Sequence, residues 1–374
     1  MDVDAGRAVA FRLGAQHVSE RVAAPDAALR GWAVQDSPPG AATAAVLART
    51  DDVQVGWVDA GLHEHRSLVA LYNARTATAV LPGDEAAAYG TALIPDDDAG
   101  LRAIVGPALR DRREGFAAPV ALAVEAVSDA LDGTVLSRDA LHEELRQRLP
   151  IELLPWCPGC QSHHARRGLL VMAALHGRLC LAGRAGRQPA FARTDQWRGW
   201  DVPPRTEAGA DLVRRYLAGY APSTPAHFAQ WAGLGTAHAR ALWGLVDDEL
   251  APVRVDGGTR AWALERDLPR LRDPAPPDGV RLLAAGDPLL LARDRETLVA
   301  DQPARREVWR AIGGAGVVLD GARAVAVWRA QKKGRRLVVR VRAFADAFSR
   351  DAVGAEAERL APHRGCTSVE LDWC

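Results

Sequence analysis

The chain has 374 residues, 48% hydrophobic and 25% charged, a globular composition that excludes disordered and repetitive classes and is long enough for two or three domains. Its 47 basic residues balance 47 acidic ones, so net charge gives no sign of a polyanionic partner, and all the basic residues except Lys332 and Lys333 are arginine. The longest apolar runs, such as Phe116 to Val124, are far shorter than the ~20 residues a bilayer requires, and the start MDVDAGRAVAFR lacks the order of a signal peptide, so a cytoplasmic protein without a membrane partner is expected.

Near the start, Pro25 to Val34 and Pro39 to Arg49 read as helices, and LVALYNARTATAVLPGD (68–84) as two short strands. A second unit repeats that order. Ser137 to Leu149 is a helix opened by Ser-Arg-Asp, Ser162 to His176 another, and RLCLAGRAGRQPAFAR (178–193) a hairpin with a glycine-rich tip. The third unit is the clearest, with a helix over DLVRRYLAGY (211–220) and a short helix opened by Ser223, Thr224 and Pro225 and carrying Phe228 and Trp231 inward. Gly233 to Gly235 breaks that helix. A further helix over Thr236 to Asp248 should turn Ala241, Leu242 and Leu245 inward and His238 and Arg240 outward. The hairpin APVRVDGGTRAWAL then turns at Asp256-Gly257-Gly258. Helices followed by a hairpin give the order of a winged helix. Beyond the linker Pro274-Ala-Pro-Pro277, four β-branched runs split by Asp320-Gly321 and Lys333-Gly334 predict an antiparallel meander, followed by a helix over Asp351 to Leu360 and a strand over Thr367 to Leu371.

The expected fold is therefore α+β: three winged-helix units in series (1–130, 131–205 and 206–273) and a C-terminal β-rich domain (278–374). The last domain is locally basic. From Arg323 to Arg342 there are eight basic residues and no acidic one, a candidate electrostatic footprint for nucleic acid.

Order and phrasing together resemble a known family. LVRRYLAGYAPSTPAHFAQWAGL, the GRAGR wing tip, RLLAAGDPLLLARDRETLV and GVVLDGARAVAVWRA look like the AlkZ/YcaQ superfamily of bacterial winged-helix DNA glycosylases. The resemblance implies three tandem winged-helix units in a C-shaped arrangement with a concave, duplex-binding surface, closed by a barrel-like C-terminal domain. The activity it implies is monofunctional hydrolysis of the N-glycosidic bond of bulky, cationic N7- or N3-alkylpurines, crosslinks among them, in DNA repair or in self-resistance to an alkylating natural product. It also implies a Gln-x-Gln or Gln-x-Asp motif in the first unit. The matching stretch is WAVQDSPPGAA, which supplies Gln35, Asp36 and Ser37; the second motif position holds Ser37, and the carboxylate of Asp36 comes one residue early. An Arg-Gly-Thr-x-His stretch of the family corresponds to RTATA (75–79), which keeps Arg75 and puts Ala79 at the histidine place.

An alkylated purine is already a good leaving group, so the site need only hold water on the face opposite the base and stabilise the developing oxocarbenium ion. Gln35 can orient the water, Asp36 can stabilise the cation and accept a water proton, and Ser37 can complete the hydrogen-bond set. Read locally, Asp36-Ser37-Pro38 is rather a helix start, with Asp36 or Ser37 as cap and Pro38 in the first turn, and only the family placement sets the catalytic reading above it. No amine stands beside the motif, which excludes a lyase route through a Schiff base, and no cofactor is expected.

For phosphate contact, the candidates are Arg75, His163, His164, Arg166 and Arg167 at a helix start, Arg184 and Arg187 on the second wing, and Arg329, Lys332, Lys333 and Arg335 on the meander, with the two lysines in a loop between strands. Each group also fits an ordinary solvated turn or helix start. Cys157-Pro-Gly-Cys160 followed by His163 has zinc-ligand character, but no second pair follows and no His-x-Glu precedes it, so no metal is assigned. The other cysteines, and most of the eleven tryptophans, read as core. The expected partner is double-stranded DNA carrying an alkylated purine, bound by a monomer. The rival class is a non-catalytic winged-helix DNA-binding protein or transcription regulator, although no heptad seam or sensor domain is visible.

Overall fold

A computed structural model describes residues 1–374 apart from Ala74, Pro107, Arg110, Asp111 and Thr259. The chain is mixed α and β and divides into two compact units. One comprises Met1–Val58, Arg214–His227 and Asp248–Cys374, and the other Asp59–Val213 and Phe228–Asp247. Among the described residues no helix is long and apolar enough to cross a membrane.

The first unit is built on a five-stranded sheet in sequence order: Val280–Leu283, Gly316–Asp320, Arg323–Lys333, Arg336–Ala343 and Ser368–Trp373. The first four strands are antiparallel, as the meander predicts, but the fifth runs parallel to Arg336–Ala343. The helix Arg350–Leu360 causes this. It is capped by Ser349, whose side chain accepts from Ala352 N, and it carries the chain back to the start of the sheet before the last strand begins. The two edge strands are not paired with each other, so the sheet is open where a barrel-like closure was expected. One face is filled by Leu283, Val317, Leu319 and Val327, against which pack Val9 and Leu13 of the helix Ala5–Ala15, together with Leu289, Leu290, Val299 and Val308. This unit also holds a small sheet in which Asp2–Val3 lies parallel to Leu250–Val255, itself paired with Arg260–Leu264. Asp256 and Gly257 both take positive φ at its turn, the conformation that the Asp-Gly signal calls for.

In the second unit the helix Arg167–Leu175 is the centre, buried from Gly168 to Leu175. Its start fits only a glycine, because a Cβ on Gly168 would lie 2.5 Å from the carbonyl oxygen of Ile104 in the helix Asp98–Val105. Around it stand the helices Ala86–Leu93, Asp98–Val105 and Ala117–Ala130 and the hairpin Leu68–Tyr72/Thr78–Pro82, with the helix Arg138–Arg148 packed on Ala117–Ala130. A three-stranded sheet orders Leu136–Ser137, Gln188–Ala192 and Cys180–Ala185. Ser137 caps its helix by accepting from Ala140 N, with Asp139 in the first turn and Arg146 and Arg148 in the last, a charge order that suits the helix dipole.

Some expectations shift. The helix expected over Pro25 to Val34 stops at Leu29, Gly31 takes a φ of 84°, and Val34–Gln35 is extended. Residues 162–166 are not helical: Ser162–His163 is a strand paired with Trp156–Cys157. In the helix Thr236–Gly244 the inward row is His238, Ala239, Leu242 and Trp243, so His238 is buried, while Ala241 and Leu245 are exposed. The bulky Trp243 rather than Ala241 sets which face turns in.

Candidate active site

The Gln-Asp-Ser stretch lies between the short strand Val34–Gln35 and the helix Ala41–Arg49, which is buried along most of its length. Gln35 and Asp36 are half-buried and Ser37 is exposed. Asp36 Oδ1 accepts from the amide of Ala42 at 3.0 Å, satisfying a donor of the first helical turn and setting the carboxylate at the positive end of the helix. The Gln35 amide folds back, its Nε2 donating to the Ser37 carbonyl at 3.1 Å, so Oε1 is the atom left to hold a water.

Two supports fix this stretch. Gly286, at φ 82°, approaches so closely that a Cβ there would lie 3.2 Å from Gln35 Nε2 and 3.4 Å from the Ser37 oxygen. The next residue, Asp287, holds the far end of the same helix. Arg49 donates to both Asp287 oxygens at 2.8 Å, and both side chains are buried. One turn therefore braces the motif and anchors the helix that carries it. On the other side, Arg364 reaches the carbonyls of Pro39 (3.2 Å) and Gly40 (3.4 Å), and Gly40 takes a φ of 84°. These supports escaped the sequence reading, although Gly286 and Asp287 stand inside the AAGDPLLL phrase.

A model of the AlkZ-like DNA glycosylase family matches residues 28–363, a span that includes both the motif and its braces. The chain belongs to the AlkZ-like DNA glycosylase family. A relative from Streptomyces sahachiroi described as an interstrand DNA cross-link repair glycosylase is 31% identical over 212 residues, 54% of this chain and 56% of its own length; the aligned stretch thus spans little more than half of that relative. The solved structure of Streptomyces sahachiroi DNA glycosylase AlkZ is similar over 100% of both chains, with a TM-score of 0.77 and 24% identity, a likeness of fold.

Against this AlkZ-like background the remaining candidates fall into three groups. The first is used internally. Arg329 pairs with Glu307 at 3.2 Å and donates to the Gly313 carbonyl, Arg166 donates to the Trp156 carbonyl at 2.6 Å, and Arg184 donates to the Arg187 carbonyl. His163 places Nδ1 2.7 Å from the Leu154 carbonyl, and its ring meets Trp156 edge-on. His164 is buried, which removes it from phosphate contact. The second group is exposed. Arg167, Arg187, Lys332, Lys333 and Arg335 reach the surface, although Arg167 also donates to the Thr76 carbonyl and lies over Tyr72.

Contrary to the loop expected, Lys332 and Lys333 are the last residues of their strand, opposite Leu337 and Arg336, and the turn is Gly334-Arg335. The strand of 11 residues runs out to Lys333, and Gly334 at φ 61° permits the tight reversal. The third group sits around the first hairpin turn. Arg75, half-buried, has its backbone N–H on Asn73 Oδ1, and Ala79 is fully buried in the strand, leaving no polar group at that register. A groove of about 730 Å³ lined by Phe11, His17, Arg21 and Arg270 was not foreseen, and it contains none of the motif residues.

Proposed function

We propose that this protein is a monofunctional DNA glycosylase that hydrolyses the N-glycosidic bond of bulky, cationic N7- or N3-alkylpurines in duplex DNA, with interstrand crosslinks among its substrates. The observation that carries this reading is the pairing of an amide acceptor on Gln35 with a carboxylate on Asp36, braced by Gly286 and by the Arg49–Asp287 pair, inside the family's matched span. Asp36 places negative charge where positive charge develops on the sugar. Gln35 Oε1 orients the attacking water, and Asp36 takes the proton that the water loses as the new C–O bond forms. The base leaves with the electron pair of its C–N bond, which neutralises its own positive charge, so no acid is needed at the leaving group. Ser37, exposed beside them, supplies a hydroxyl to the water shell. Both lysines of the chain lie at the end of the strand Arg323–Lys333, which supports hydrolysis rather than a Schiff-base route.

The winged-helix reading is part of this proposal. Residues 131–205 support it through the helices Arg138–Arg148 and Arg167–Leu175 followed by the hairpin Cys180–Ala185/Gln188–Ala192. Residues 1–130 and 206–273 repeat helices followed by a hairpin along the chain, and 278–374 supplies the β-rich part with its basic hairpin. The protein acts on duplex DNA as a cytoplasmic monomer, in repair or in self-resistance to an alkylating natural product.

The test is incubation with duplex bearing N7-alkylguanine adducts, reading alkali-labile abasic sites for wild type, Gln35→Ala and Asp36→Asn. Release by wild type that falls sharply in both variants is expected. Release undiminished in both would overturn the assignment of the motif, and binding without release from any alkylated duplex would make this a binding protein only.

A further inference from the structure

We propose that Cys157, Cys160 and His164 form a zinc-binding site in the second unit. Their ligand atoms all lie within 4.8 Å of one another. Tetrahedral zinc with Zn–S near 2.3 Å and Zn–N near 2.0 Å sets its ligand atoms about 3.5–3.8 Å apart, so a small closure of these side chains suffices.

The backbone is already that of a metal-binding knuckle. Trp156–Cys157 and Ser162–His163 pair as a two-stranded hairpin around Cys-Pro-Gly-Cys. The Cys160 amide donates to the Cys157 carbonyl at 3.2 Å, and the ionised form of the Cys157 thiol is favoured first by the His164 side chain and then by the amides of Cys160 and Gly159. Gln161 holds a φ of 51° as the chain turns back. N–H groups aimed at a sulfur stabilise a thiolate, the form that binds zinc.

His164 supplies an independent observation. It is only 8% exposed, and its Nδ1 sits 2.9 Å from the Ala165 carbonyl, to which it donates. That hydrogen bond fixes the tautomer and leaves Nε2 as a lone pair. Nε2 is itself buried and makes no hydrogen bond of ordinary geometry among the described residues, while the His164 side chain meets the Cys157 thiol and favours its ionised form. A buried imidazole nitrogen held in the acceptor form, beside two thiols, is what a metal ligand needs. A disulfide between the cysteines would leave that nitrogen unsatisfied.

The neighbouring His163, the histidine that the sequence reading set with the two cysteines, turns to the Leu154 carbonyl and Trp156 instead, so the structure replaces it with His164. The His164 ring stacks on His142 of the helix Arg138–Arg148 at 4.4 Å and 10°, so a metal here ties the hairpin to that helix and to the start of Arg167–Leu175. Thiolate with imidazole selects zinc over magnesium or calcium. Cys160 is exposed, so the fourth corner of the tetrahedron is taken by a solvent ligand or an added anion.

The experiment uses the full chain, purified without chelator, with zinc measured by mass spectrometry. The protein is then stripped under reducing conditions and titrated with Co²⁺, reading the thiolate-to-cobalt absorption. About one zinc per chain is expected in wild type and in His163→Ala, with loss of stoichiometric metal in Cys157→Ser and His164→Ala. Zinc should also protect Cys157 and Cys160 of wild type from alkylation, a readout independent of whether the variants fold. Absence of both zinc and a cobalt–thiolate band in wild type overturns the proposal. So does metal retained in His164→Ala but lost in His163→Ala. The site stands or falls without reference to glycosylase activity.

Discussion

The carboxylate of Asp36 accepts the amide of Ala42 across six residues, so the side chain proposed for the chemistry also caps the helix Ala41–Arg49. These duties separate by substitution. Asp36→Asn keeps an oxygen for the Ala42 amide and removes the charge. Its rate of base release should fall by about 10²–10⁴ with little change in Tm. Asp36→Ala removes both and should lose about 1 kcal/mol of stability as well. Thermal melts beside single-turnover release decide it; Asp36→Asn with wild-type release would reduce Asp36 to a cap.

The Arg49–Asp287 pair carries a second prediction. Both side chains are buried and the pairing is bidentate, so neither charge can reach water when its partner is removed. Arg49→Met should cost about 3–5 kcal/mol in urea unfolding, chiefly from the stranded Asp287 carboxylate. The double variant Arg49→Met/Asp287→Leu should recover much of that loss, because an apolar pair leaves no buried charge. A double variant as unstable as the sum of the singles would show that the charges themselves are needed.

His238 gives the chain a pH dependence. The side chain is 8% exposed, and neither ring nitrogen has a partner among the described residues. Burial lowers its pKa from the ordinary value, with Asp96 opposing the shift. The sign follows from proton counts. Above about 6.5 both folded and unfolded states are neutral at this ring; as pH falls through 6.5 the unfolded state takes up a proton before the folded one does, so stability is lost on acidification. The slope from this group is at most about 1.4 kcal/mol per pH unit. His238→Leu should flatten the fall in Tm between about pH 7 and pH 5, and an unchanged profile would assign the acid sensitivity elsewhere.

What the sequence disclosed and what it withheld follow from range. The hairpins at Gly183–Gly186 and Asp256–Gly258 and the cap at Ser137 are local, and each was legible because turn and cap chemistry names its own residues. The helices Ala86–Leu93 and Ala117–Ala130 were missed, being rich in alanine and without a sharp polar face. The braces of the motif were out of reach: Arg49 and Asp287 stand 238 residues apart, and no local pattern links them. The zinc reading took His163, because spacing could not rank two adjacent histidines. The hairpin register did, by sending the first toward Leu154 and burying the second.

The basic hairpin makes the sharpest prediction about DNA. Lys332, Lys333 and Arg335 are exposed at its end and take part in no ion pair among the described residues, whereas Arg329 on the same strand is held by Glu307 and the Gly313 carbonyl. Cations that displace counterions from the duplex must be available to phosphate. Changing Lys332, Lys333 and Arg335 together to Gln should therefore reduce the slope of log K against log salt by about 2–3, each neutralised phosphate being worth about 0.9. Arg329→Gln should leave that slope nearly unchanged. Fluorescence anisotropy on undamaged duplex at several salt concentrations measures both. A triple variant with the wild-type slope would remove this hairpin from the DNA interface, and an equal effect of Arg329→Gln would mean that its ion pair opens on binding.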